Sequence, residues 1–173
     1  MLRKLMKKLG YLICIFSFQI TMAQITETNC ACCTEKYNQF DFWLGEWNVY
    51  DNNEKLVGIN SITKGSGSCL ILEKWVEDER RGSSTVFYNS IDNSWNQIWV
   101  DNSDFVLKLK GNFVNDVMTL KSDLIEGNNK KYYNQISWIQ NEDGSITQLW
   151  EIYNEHEIKI SEVFQGIYKK MLN

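Results

Sequence analysis

Proline is absent from this chain, and histidine occurs once, as His156. Without proline, every residue can donate its backbone N–H, and nothing forces a break in a β ladder. A single histidine excludes paired-histidine metal motifs. It leaves a Ser-His-Asp arrangement with one candidate base, and nothing around His156 recommends it. A nucleophile elbow and a glycine-rich phosphate loop before a helix are missing as well. No catalytic residue, metal centre or cofactor is therefore predicted from motifs, and the balance is against an enzyme. No segment keeps helical periodicity over three turns. Long apolar runs are also lacking beyond residue 20, so no membrane span is expected after the N-terminal segment.

The N-terminal exception runs from Leu9 to Ile20, about a dozen apolar residues, too short to cross a bilayer as a helix. Arg3, Lys4, Lys7 and Lys8 precede it, and Thr21-Met22-Ala23 places small residues where a signal peptidase cuts. Residues 1–23 are thus predicted to be a signal peptide, and the protein to be exported, to a periplasm or to the medium. Cleavage would remove four of 18 basic residues and none of 22 acidic ones, moving the formal charge from −4 to −8. A domain so acidic has no general attraction for nucleic acid or for an anionic membrane. Cys14 would leave with the signal, and Cys30, Cys32, Cys33 and Cys69 would remain. An even count in an oxidising compartment predicts disulfides, with three possible pairings. Adjacent Cys32 and Cys33 are poor partners for each other, so one early cysteine is expected to reach Cys69. The alternative is a Cys-x-Cys-Cys site for a soft metal.

What is abundant is aromatic: seven Trp, eight Tyr and eight Phe. So much ring surface predicts a packed interior. Residues 24–36 read as a flexible, cysteine-containing arm, and residues 37–173 as a single domain. From Trp47 onward, runs of alternating polarity, rich in Val, Ile, Thr and aromatics, are punctuated by Asn, Asp, Gly and Ser clusters. About ten strands result, beginning near Glu46, Lys55, Ser68, Ser83, Ser94, Asp104, Val117, Lys130, Ser145 and Glu157. A short helix over Thr34–Leu44 is expected before them, with Thr34 as N-cap and Phe40, Trp43 and Leu44 on one face. An antiparallel up-and-down meander of this size most simply closes into an all-β barrel, with an open sandwich as the alternative.

The segment Phe40-Asp41-Phe42-Trp43-Leu44-Gly45-Glu46-Trp47 contains a Gly-x-Trp that resembles the lipocalin signature. That resemblance implies a Trp47 closing one end of the barrel, with Lys169 or Lys170 packed on its ring. Together with Cys69–Trp75, Trp95–Asp101, Thr147–Glu151 and Phe164–Tyr168, the pattern is similar to a family of bacterial secreted lipocalin-like (calycin-type) proteins. The family has no assigned activity, so the resemblance implies a fold and no chemistry. Ten strands bring the chain closer to fatty-acid-binding and nitrobindin-like barrels. The latter hold haem through a histidine, and a lone His156 in a predicted turn speaks against haem here.

Alternation places Cys69, Ile71, Glu73 and Trp75 on one strand face, Trp95, Gln97 and Trp99 on another, and Ile146, Gln148, Trp150 and Ile152 on a third. If these faces point inward, Glu73, Trp75, Gln97, Trp99, Gln148 and Trp150 form an aromatic chamber with a few polar groups, to which Tyr88 and Trp138 add a hydroxyl and a ring. Such a lining suits a small apolar or amphipathic ligand. A barrel filled by its own side chains and serving as an interaction domain is the alternative. A lyase or isomerase using Glu73, with Tyr88 beside it, is a further one. The sequence sets no oligomeric state.

Overall fold

The computed structural model describes residues 30–127 and 130–171. The predicted signal peptide, with Cys14, and the first residues of the arm lie outside the described residues. Two short turns open the described chain, the helix α1 (Glu35–Asn38) and a 3-10 turn at Asp41–Trp43. Strands follow in the order β1 (Gly45–Tyr50), β2 (Leu56–Gly65), β3 (Leu70–Glu77), β4 (Arg80–Asn89), β5 (Ser94–Asp101) and β6 (Val106–Val114). The remainder are β7 (Val117–Lys121), β8 (Ile125–Gly127), β9 (Lys130–Gln140), β10 (Ile146–Asn154) and β11 (Lys159–Lys170).

Each strand from β1 to β6 pairs antiparallel with the next, β7 pairs with β9, and β9 continues through β10 and β11 back to β1. Ten strands thus close a barrel, and β8 extends one end by pairing with β9. Closure rests on the register Trp47↔Lys170 to Tyr50↔Ile167. The barrel is an all-β meander, as the alternation and turn spacing predict, and it is compatible with a calycin-like fold. No helix among the described residues is long and apolar enough to cross a membrane.

The turns show why Asn and Asp punctuate the sequence. Asp78, Asn93, Asp104, Asn115 and Asp116 all adopt left-handed backbone conformations, with φ between 46° and 67°. Their short polar side chains tolerate that region.

Three boundaries differ from the expectations. The helix over Thr34–Leu44 is broken into two short turns, and Thr34 makes no side-chain cap. The aromatic residues Phe40 and Trp43 are drawn into the barrel instead of following a helical stripe. Strand β4 starts at Arg80, not Ser83, because the turn needs only Asp78 and Glu79, and Glu77 pairs with Arg80. The strand expected from Val117 splits after Lys121. There the Ser122 hydroxyl accepts from the Asn134 amide at 2.9 Å and replaces a ladder carbonyl.

The core divides by height. At one end Phe40 and Trp43 are pulled inside against Trp95 and Trp138, with ring centroids 4.9–5.8 Å apart. The Trp47 indole donates to the Trp43 carbonyl at 2.9 Å, and the Lys170 ammonium lies 5.3 Å from the Trp47 ring centroid. Lys169 instead covers Tyr50. Two disulfides fasten this end, Cys32–Cys69 to the start of β3 and Cys30–Cys33 within the arm. Their pairing leaves none of these four sulfurs as a free thiolate, and no metal-ligating cluster occurs among the described residues.

Candidate functional site

The opposite end of the barrel is open and holds a cavity of about 440 Å³. That size lies within the roughly 300–1,000 Å³ common for small-molecule sites. Its walls come from β3, β5, β6, β9, β10 and β11, through Trp75, Trp99, Leu107, Leu109, Ile136, Trp150 and Phe164. Glycines set the position of two walls. A Cβ at Gly58 would lie 2.4 Å from the Trp75 ring, and one at Gly82 2.0 Å from the Trp99 ring. Each indole therefore packs directly against the bare backbone of a glycine on the neighbouring strand. Trp150 is held differently, its indole donating to Asn134 at 2.8 Å while Phe105 stacks on it.

At the floor of the cavity is Glu73, 4% exposed. Its Oε1 accepts from the Asn60 amide at 2.8 Å. Its Oε2 accepts from the Ser84 hydroxyl at 2.5 Å and from the Gln97 amide at 3.2 Å. The Gln97 amide also reaches the Ser84 hydroxyl at 3.0 Å. On the other side the Asn60 amide donates to the Tyr168 hydroxyl at 3.3 Å, and Tyr168 donates to Gln148. One polar chain thus crosses the barrel from Gln97 to Gln148 through the carboxylate.

Every donor to Glu73 among the described residues is neutral. Burial pushes the Glu73 carboxyl above the ordinary carboxylate range, and the bonds from Ser84, Asn60 and Gln97 offset part of that rise. Burial, reinforced by the Glu73 charge, pushes the Tyr168 phenol well above its usual value. Asp101, at the mouth end of β5, behaves in the opposite way. Burial alone would raise it, but the Ser103 hydroxyl and amide, the Arg80 guanidinium at 3.0 Å and the Phe105 amide hold it well below the usual range.

The chain of polar groups can orient one polar end of a molecule whose remainder packs on indoles. It can also hold a proton at Glu73. Six residues picked out by alternation line this cavity: Glu73, Trp75, Gln97, Trp99, Gln148 and Trp150. Tyr88 and Trp138 do not. Both point inward but belong to the filled end, where Tyr88 packs on Tyr37 and Trp95, and Trp138 on Phe40 and Trp43. Alternation sets the face of a strand and leaves the height along the barrel open, so the pairing of Glu73 with Tyr88 is replaced by its link through Asn60 to Tyr168. His156 sits exposed in the β10–β11 turn, away from the cavity lining.

Asn60, Ser84, Tyr168, Gly58 and Gly82 are site residues that the sequence reading missed. Asn60 and Ser84 carry a signal, since each is a polar residue at an inward position of an alternating strand. Ser84 lies directly across from Glu73 in register. Gly82 belongs to the stretch Glu79-Arg80-Arg81-Gly82 that reads as a turn, whereas the structure places it within β4.

No family model matches this chain, and no curated protein matches it.

Proposed function

We propose that this barrel binds a small apolar or amphipathic molecule in its open end, with the polar end directed by Glu73, Gln97 and Gln148. The observation that carries this reading is the cavity itself, aromatic on its walls and crossed at its floor by one hydrogen-bonded polar chain. A filled barrel would have closed this space, as the other end does. Trp75 and Trp99, fitted across Gly58 and Gly82, favour a pocket formed before a ligand arrives. Export belongs to the same reading. The basic and apolar N-terminal segment and the paired cysteines both suit a protein of an oxidising compartment.

Native mass spectrometry of the mature protein, purified gently from its own host, tests this. A reproducible excess mass lost on denaturation, with quenching of Trp emission when the released molecule is added back, is the expected result. No excess mass, and no quenching by any member of a panel of apolar and amphipathic molecules, would overturn it.

A further inference from the structure

The charge of the cavity is one-sided. Asp51, Glu77 and Glu162 stand with Glu73 on its lining, against a single basic residue among the described residues, Arg80. Arg80 is already committed to Asp101 at 3.0 Å. Of the acidic groups, Glu162 also meets Lys159 at 3.4 Å, whereas Glu73 meets neutral donors. A second feature points the same way. Gln97 is 3% exposed, and its Oε1 has no hydrogen-bond partner among the described residues although the side chain lines the cavity. A buried acceptor of this kind calls for a donor. The donor that suits both an amide oxygen and an uncompensated carboxylate is a cation with N–H groups. The faces of Trp75, Trp99 and Trp150 are also electron-rich and attract cations. A carboxylate-headed ligand would instead meet Glu73 on the floor and three more carboxylates on the way in.

This inference rests on the binding reading above and specifies the ligand. We propose that it is an amphipathic amine, its ammonium seated at the cavity floor beside Glu73 and Gln97 and its apolar body among the indoles. Charge then decides both which molecules enter and which way round they lie.

Isothermal titration of the full mature chain at pH 7 and low salt, with 1-decylamine, 1-decanol and decanoate, separates the possibilities. The ammonium is expected to bind about tenfold or more tighter than the alcohol, and decanoate weakest. Glu73→Gln should erase the difference between ammonium and alcohol. Glu77→Gln, at the mouth and away from the packed floor, should weaken the ammonium by about two- to threefold at low salt, with no loss in 1 M salt. Alcohol binding as tight as the ammonium, or decanoate binding tightest, would overturn the amine assignment and leave the binding reading standing. Unchanged ammonium affinity in both variants would do the same. Failure of all three probes to bind, together with no co-purified mass, would overturn both.

Discussion

Trp95 and Trp99 stand on the same face of β5, four residues apart, and meet different fates. Trp95 is 2% exposed and wedged between Phe40 and Tyr88, whereas Trp99 is half-buried and faces a cavity. The strands are the same and so is the inward alternation. What differs is a segment from outside the sheet. Phe40 and Trp43 fill one end, and at the other end no described residue from outside the sheet fills the space above Glu73. A ten-stranded barrel encloses more volume than its own inward side chains occupy. The N-terminal turns use up that surplus at one end only. Stability should therefore depend on the filled end and recognition on the open one.

The largest expected effects test this division. Removing the Cys32–Cys69 bond, which spans 37 residues, by a double serine substitution should lower stability by about 4 kcal/mol. The same change at Cys30–Cys33, across three residues, should cost roughly half as much. Trp43→Ala, in the filled end, should cost about 3–5 kcal/mol in urea denaturation, and Trp99→Ala clearly less, while weakening ligand binding about tenfold. Equal losses from the two tryptophan variants would erase the distinction between the ends.

Glycine sharpens the comparison at the open end. Gly82→Ala places a methyl group where the Trp99 ring now lies, so the ring must move. Trp emission should shift and ligand affinity fall, with a smaller change in stability than Trp43→Ala produces.

Two buried carboxylates at the open end should respond to pH in opposite directions. Glu73 has a raised pKa, so between the ordinary carboxylate range and its own value the folded state holds a proton that the unfolded state lacks. Stability then falls as pH rises through that interval and stays lower above it. Glu73→Gln should remove this fall. Asp101 has a depressed pKa, so its stabilisation is present above the ordinary carboxylate value and is lost as pH falls toward its own. Asp101→Asn should flatten the acid side of the same denaturation profile. Lys170→Ala should have the smallest effect, about 0.5–1 kcal/mol from the ring of Trp47.

Much of the architecture is legible locally. Whether a strand residue faces in or out depends on a period of two, and whether a turn can form depends on Asn, Asp or Gly at the bend. Both are properties of short segments, so the meander and the inward placement of Glu73, Gln97 and Trp99 can be read along the chain. Height along the barrel axis is another matter. It depends on the stagger between strands, which accumulates around the whole closed sheet. That stagger sends Trp138 and Tyr88 to the filled end and brings Tyr168, from the last strand, to Asn60 on the second. It also sets Gly58 and Gly82 beneath two indoles. The sequence by itself determined an all-β chain with an aromatic interior and cysteines able to pair. The tertiary structure alone decided which end is filled and which carboxylate is left among neutral donors, because both follow from closure, and no single strand carries closure in its own residues.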